Sequence, residues 1–325
     1  MRLPKFDYVE PKSLKEAARV FTLQPKGSAF LAGGTDLLVR MKYRVKVPTH
    51  IINLKTIPRL AHIIDGKDGV RIGALVTLDD LATFPVIRER YPALAHACRE
   101  VGAYGHQVMG TMGGNLCQEN RCRFFNQSVF WRSVRPLCFK AGGEICHVVK
   151  KARECHSTYC GDLAPVLIAL GAKISLVGSS GERTLPLRKL YTGNGAKPLA
   201  LKKGEILREV SIPHSSGVAI YLKWRLRDSL EYPIVSVAVS LDRSETRQVK
   251  KATIVFSGVG PNPVETLEAR KILNGGPLDD GAINRASAQA VKEISPMRTS
   301  IHSPAYKRKM AGILLRQALE KLREL

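Results

Sequence analysis

Cys122, Cys138, Cys146 and Cys155 fall within one stretch of 34 residues, separated by fifteen, seven and eight residues. The chain has seven cysteines, and six of them lie between positions 117 and 160. An odd total in a long chain without a signal peptide argues against a disulfide framework, and clustering in a reducing compartment points to metal. The spacing fits neither the paired C-x₂₋₄-C knuckles of zinc ribbons nor the cysteine run of bacterial ferredoxins. Four thiolates are a ligand set for a [4Fe–4S] cluster as much as for structural zinc. The remaining alternative is a loop of inert thiols. Phe124, Phe125, Phe130 and Trp131 would give a metal group an apolar surround that limits solvent. His147 and His156 each follow a cysteine directly and are read as supporting or surface residues. Cys117 and Cys160 flank the stretch and could replace one of the four.

Two glycine loops carry a second kind of chemistry, "AGGTDLL" at 32–38 and "GTMGGNL" at 110–116. Gly33 and Gly34 let the backbone turn sharply and come close to a ligand without a Cβ in the way. A helix starting behind such a turn offers unpaired N–H groups to a pyrophosphate. Neither loop matches the Rossmann or P-loop fingerprint. The plainer reading of the first is a tight strand–helix turn with Thr35 or Asp36 as the cap. Two such loops about 80 residues apart, each between strand and helix signals, favour a dinucleotide held from two sides.

The elements around these loops follow from periodicity. "SLKEAARVFTLQ" reads as a helix capped by Ser13. "SAFL" is a short strand before the first loop, and "THIINLKTI" is a β-rich run. "GVRIGALVTLDDLATF" reads as strand, turn and helix, with Thr77 as cap, and "YPALAHACREVG" as a further helix. "GDLAPVLIALGAKISLVGSSGERTLPL" gives a helix and then two strands joined at "SSGE". The texture changes at "HSSG", residues 214–217. After it come three strand-like runs, "AIYLKWRLR", "PIVSVAVSLDR" and "KKATIVFSGVG", and two helical ones, "VETLEARKIL" and the C-terminal stretch. Two domains follow, 1–214 and 215–325.

With 325 residues, 44% hydrophobic and 24% charged, the chain is long enough for two packed cores. No apolar run reaches the roughly 18–20 residues needed to cross a bilayer, and the N-terminal stretch lacks an apolar signal core, so the expectation is a cytoplasmic protein without a membrane. The formal net charge is +23. Its spread along the chain fits a solvated, docking-prone surface at least as well as a nucleic-acid stripe, and no RNA- or DNA-binding motif accompanies it.

"FLAGGTDLLVRMK", "IGALVTLDDL", "GTMGGNLCQ", "GDLAPVLIALGAKI", "LKKGEILREVSIP" and "ATIVFSGVGPNPV" occur in the order found in the FAD-binding subunit of the molybdenum hydroxylase family, and the chain resembles that subunit over nearly its whole length. The resemblance implies an α+β protein: a two-subdomain FAD-binding module of the PCMH-like type, then a smaller C-terminal α+β domain. It implies that Ala32, Gly33, Gly34, Thr35, Asp36, Leu37 and Leu38 hold the FAD pyrophosphate. Thr111, Gly113, Gly114 and Asn115 would line the other side, with Gln118 nearby. Asp162 would bond flavin-chain hydroxyls, and Lys223 would sit near the ring. Most family members carry an arginine–asparagine pair before the second loop. This chain has Gln107 and Val108 there.

Family members join "GGNL" to the following aspartate by a short link, whereas 46 residues separate Asn115 from Asp162 here. A structureless insert of about 40 residues needs something to organise it. The insert resembles that of the 4-hydroxybenzoyl-CoA reductase branch of the family. That likeness implies a [4Fe–4S] cluster on Cys122, Cys138, Cys146 and Cys155 beside the FAD. It also implies a molybdenum-cofactor subunit and a [2Fe–2S] subunit in a dimer of heterotrimers, and ferredoxin as electron donor in an aromatic-degradation pathway through benzoyl-CoA. No catalytic acid–base pair is expected on this chain. Eight basic residues against three acidic ones make the insert basic, which reads as a solvated loop or as a landing surface for an acidic donor. Two other readings stand: an FAD subunit of a xanthine or CO dehydrogenase-type hydroxylase with a structural insert, and a zinc-bearing basic nucleic-acid-binding protein.

Overall fold

The computed structural model describes residues 2–214, 217–298 and 302–325. Within them the strands form three sheets. The first is parallel, with order β1-β3-β2, from β1 (Asp7–Val9), β2 (Ser28–Leu31) and β3 (His50–Asn53). The second is antiparallel, with order β4-β5-β8-β6-β7. Its strands are β4 (Ile63–Gly66), β5 (Gly69–Gly73), β6 (Lys173–Gly178), β7 (Gly181–Pro186) and β8 (Ile206–Pro213). The third, β12-β11-β10-β9, is antiparallel too, from β9 (Val218–Trp224), β10 (Val235–Arg243), β11 (Val249–Ser257) and β12 (Val264–Glu265). This is the α+β fold expected. The boundary expected at 214/215 falls on Ser215, which lies outside the described residues.

Local chemistry sets the helix starts. Ser13 accepts from Glu16 N at the head of helix Leu14–Leu23, and Thr77 accepts from Asp80 N at the head of Leu78–Thr83. Helix Leu163–Ala169 is buried on every side. It packs between the second and third sheets, which its all-round apolar sequence requires. One core cluster joins that helix to Val210 and Ile212 of β8, and to Tyr221, Ala238 and Val255 of the third sheet. A separate cluster fills the space between the other face of the third sheet and helices Asp280–Glu293 and Pro304–Glu324. Among the described residues no helix is long and apolar enough to cross a membrane.

The insert leaves the core through one antiparallel bridge, Arg121 to Thr158, with both backbone hydrogen bonds made at 2.8 and 2.9 Å. Its own structure is slight: a short helix at Val129–Ser133, one 3₁₀ turn at Phe139–Ala141, and a bridge between Cys138 and Ile145. Asn120 anchors the stem, its amide donating to the carbonyls of Ser157 and Pro261 at 2.8 and 2.7 Å.

Candidate functional site

The two glycine loops meet face to face. A Cβ on Gly33 would lie 1.8 Å from the Met109 carbonyl oxygen, so only glycine permits this approach. Gly34 takes φ +78°, which turns the chain into helix Leu37–Lys42. The second loop is itself a short helix, Met112–Leu116, capped by Thr111 through Gly114 N. It is stitched to the segment after β5 by Met112 N to Val76 O and Gly113 N to Ala74 O, at 2.9 and 2.8 Å. The Asn115 carboxamide accepts from Leu163 N at 3.4 Å, tying this loop to "GDLAP".

A cavity of about 550 Å³ opens between them, the size of a cofactor pocket. Ala32, Gly33, Gly34, Thr35, Asp36, Leu37, Thr111, Gly113, Gly114, Asn115, Gln118 and Asp162 all line it. Two expected residues stand behind the wall. The Leu38 side chain packs under Gly34. Lys223 is fully buried 3.0 Å from the Asp162 carboxylate and donates to the Glu100 carbonyl at 2.7 Å. Tyr221 donates to the same carboxylate at 2.6 Å. Burial pushes the Asp162 carboxyl up, against the pull of Lys223 and Tyr221.

Asp36 does not cap its helix with its side chain. Its carboxylate pairs with Arg121 of the insert stem, whose guanidinium lies 4.9 Å from the centre of the Tyr232 ring. Arg121 and Tyr232 both line the cavity. Burial pushes the Tyr232 phenol up to about 12 although Arg121 opposes it. Ser28 Oγ, His106 Nδ1 and Gln118 Nε2 belong to cavity-lining residues, are buried, and have no hydrogen-bond partner among the described residues. Orphaned polar atoms around an apolar-walled cavity fit a ligand that is part aromatic and part polar, as FAD is. Replacing Arg121 by methionine would leave the Asp36 carboxylate on the cavity wall with only Arg40, 3.7 Å away, to offset it against an anionic ligand. The expected result is an FAD dissociation constant raised about 10-fold, about 1.4 kcal/mol, read from the fluorescence of released flavin.

Arg121, Tyr232 and His106 line the cavity and were not among the residues expected from the sequence. Arg121 carries no motif signal, because its partner is 85 residues away.

The four cysteines of the insert, Cys122, Cys138, Cys146 and Cys155, line one second cavity together with Phe124, Phe125 and Lys140. Cys117 lines the flavin-sized cavity instead, Cys160 is buried with its thiol toward Thr158 O, and Cys98 is in the core. The flanking cysteines therefore stand apart from the set of four. No three His, Cys, Asp or Glu side chains among the described residues gather closely enough to hold a single metal ion. The enclosed space is about 10 Å³, room for roughly one water, so the match to a metal group lies in donor chemistry and not in free volume. Phe130 is 80% exposed and takes no part in the apolar surround, whereas Phe124 packs against Trp131 and His147.

The basic count of the insert also divides. Arg121 and Lys140 point inward to Asp36 and Glu119. Arg123, Arg132 and Arg135 lie over Phe124, Phe125 and Trp131. Lys150, Lys151 and Arg153 are left on the exposed rim. Burial alone would raise the Glu119 carboxyl, but Lys140 and then Arg40 outweigh it and hold it below the usual range.

Comparison with known proteins agrees with this geometry. Residues 4–215 match the family model described as the FAD binding domain in molybdopterin dehydrogenase, and residues 221–322 match the CO dehydrogenase flavoprotein C-terminal domain. The aldehyde oxidoreductase FAD-binding subunit PaoB of Escherichia coli is 33% identical over 278 residues, 82% of this chain and 85% of that one. The carbon monoxide dehydrogenase medium chain of Afipia carboxidovorans is 28% identical over 97% of this chain and 96% of its own. The solved structure of reconstituted CO dehydrogenase from Oligotropha carboxidovorans superposes with a TM-score of 0.82 at 26% identity, covering 100% of this chain and 99% of that one. Paired glycine loops around one cavity, and family matches over both halves, lead to one conclusion: this chain belongs to the FAD-binding subunits of the molybdenum hydroxylase family, of the CO dehydrogenase medium-chain type.

Proposed function

We propose that the chain holds one FAD between its glycine loops and serves as the electron-relaying flavin subunit of an oxidoreductase of the xanthine or CO dehydrogenase type. The observation that carries this reading is the cavity closed by Gly33 against Met109 and rimmed by unpaired buried polar atoms. FAD exchanges one or two electrons, and the protein fixes its position and surroundings. Ala32 to Asp36 would take the pyrophosphate, with Thr111, Gly113, Gly114 and Asn115 opposite. Gln118 would supply an amide donor and Asp162 an acceptor for hydroxyls. Lys223 would orient Asp162, and Leu38 would back the first loop. Residues 1–214 form the flavin module in this reading, and the domain from 215 onward reaches the cavity through Tyr232. A molybdenum-cofactor subunit and a [2Fe–2S] subunit would complete the enzyme as a dimer of heterotrimers. Two of the three relatives above are named as CO dehydrogenases, which favours this hydroxylase-type reading over a reductive one.

One observation favours a second reading. Four cysteines ring one cavity yet do not gather for a single ion, a donor arrangement that suits a [4Fe–4S] cluster better than zinc. In the family such a cluster goes with the 4-hydroxybenzoyl-CoA reductase branch. The enzyme would then take two electrons from ferredoxin and, with two protons, release the ring hydroxyl of 4-hydroxybenzoyl-CoA as water at another subunit, leaving benzoyl-CoA. Anaerobic purification with native partners, with iron and FAD counted per chain, separates the two. The cluster reading expects about four additional irons, and Cys138→Ser should remove one dithionite-induced EPR signal while FAD stays. FAD without iron in the insert leaves the hydroxylase-type subunit with a structural loop, and the reductive reading then falls.

A further inference from the structure

The two cavities are joined by ion pairs. Lys140 lines the cysteine cavity, and its side chain is only 5% exposed, with the ammonium 2.9 Å from Glu119 Oε2. The same ammonium donates to the carbonyls of Gly195 and Asn120 at 2.9 and 3.3 Å, and reaches Ser157 Oγ at 3.5 Å. Those bonds fix it in place. The other oxygen of Glu119 faces Arg40 Nη2 at 3.7 Å. Arg40 lines the flavin cavity and is also paired with Asp36 at 3.7 Å. One carboxylate thus stands between a cation on the wall of each cavity. Glu119 itself lines neither.

We propose that Glu119, held between Lys140 and Arg40, is a shared counter-charge that moves the reduction potentials of the flavin and of the group in the cysteine cavity together. The proposal rests on the flavin and iron–sulfur readings above. Reduction adds negative charge to either group, so a neighbouring cation favours the reduced form and a neighbouring anion opposes it. Lys140 and Arg40, with side chains 5% and 14% exposed, are weakly screened, and Glu119, 31% exposed, is screened in part. Glu119 tempers both cations at once. Neutralising it strengthens both of them, and the difference between the two potentials, which drives transfer, changes less than either potential. Lys140 lines the cysteine cavity only, so its removal acts most strongly there and reaches the flavin less, through the Glu119 charge it leaves unpaired.

The test uses the enzyme purified with its partner subunits, as wild type, Glu119→Gln, Glu119→Asp and Lys140→Met. Iron and FAD are counted in each sample. Potentials are read by reductive titration, the cluster by EPR and the flavin by its visible absorption. At the wild-type midpoint, Glu119→Gln should raise the reduced-to-oxidised ratio of the cluster about tenfold, about 59 mV for one electron. The flavin should move in the same direction. Lys140→Met should move the cluster the opposite way and the flavin less, in that same direction, and Glu119→Asp should keep both near wild type. If Lys140→Met fails to load iron, Glu119→Gln still decides, because it keeps the lysine. A shift in one potential alone with Glu119→Gln, or in neither, overturns the proposal. Wild-type enzyme with FAD but no iron in the insert overturns the cluster reading and this proposal together, and the iron count tells that failure from the other.

Discussion

Gly33→Ala is expected to cut the FAD content of the purified chain at least about tenfold and to destabilise it by about 1–3 kcal/mol. The added carbon would sit 1.8 Å from the Met109 carbonyl oxygen, 2.7 Å from its carbon and 3.1 Å from Gly110 Cα. All three atoms are backbone, so no rotamer change relieves the clash, and the two loops must part. Parting them opens the wall on which the flavin reading depends. Gly105→Ala is the control, since a Cβ there meets nothing within 4 Å and the residue lies in helix Tyr104–Met109. It should keep its FAD and lose no stability. Absorbance at the flavin band against protein, together with denaturant unfolding of both variants, checks the pair. Full flavin content in Gly33→Ala would mean that the loops do not enclose the cofactor.

Lys223→Met should cost about 3–5 kcal/mol at neutral pH, because it leaves the Asp162 carboxylate buried with only the Tyr221 hydroxyl beside it. The loss should depend on pH with a definite sign. Burial already holds the Asp162 carboxyl above its usual range while Lys223 pulls it down. Without the lysine the folded-state value rises further above the unfolded one. The folded variant then binds a proton that the unfolded chain releases, so stability is lost as pH rises through that window and regained as pH falls. The melting-temperature gap between wild type and variant should therefore narrow from pH 8 to pH 5. Adding Asp162→Asn to Lys223→Met should recover part of the loss at pH 8 and flatten the dependence. A gap independent of pH would place the cost in lost packing and not in the orphaned charge.

Much of the flavin cavity was legible in the sequence because its walls are backbone. Glycines placed between strand and helix signals mark where chain must approach chain, and the residues of both loops do line one space. Lys223 was read as near the ring, and its ammonium is buried against the Asp162 carboxylate, a partner that a strand position does not announce. The insert was misread in part for the same reason. Its charges were counted as surface, but Arg121 and Lys140 turn inward to partners that spacing cannot reveal, and three other arginines lie over aromatic rings. Helix Asp280–Glu293 escaped the periodicity reading because its inner face is built from Ala282, Ala286 and Ala290 with Ile283 and Ser287. Small residues bury well against a sheet yet give little apolar contrast along the chain. Met112–Leu116 was read as a turn, since two glycines hide a helix that Thr111 and its tertiary bonds enforce.

The Arg121–Thr158 bridge bears on how such a chain can change over generations. The 36 residues between those two begin and end side by side. Closing a loop costs free energy that grows only with the logarithm of its length, about 0.6 kcal/mol per doubling. Lengthening or shortening the segment leaves every register of the five-stranded sheet as it was. A lineage can therefore acquire this accessory whole, or shed it, while the flavin scaffold goes on folding. What it must keep in step is the wiring at the stem, because Arg121 and Glu119 already belong to the neighbouring loop's ion pairs.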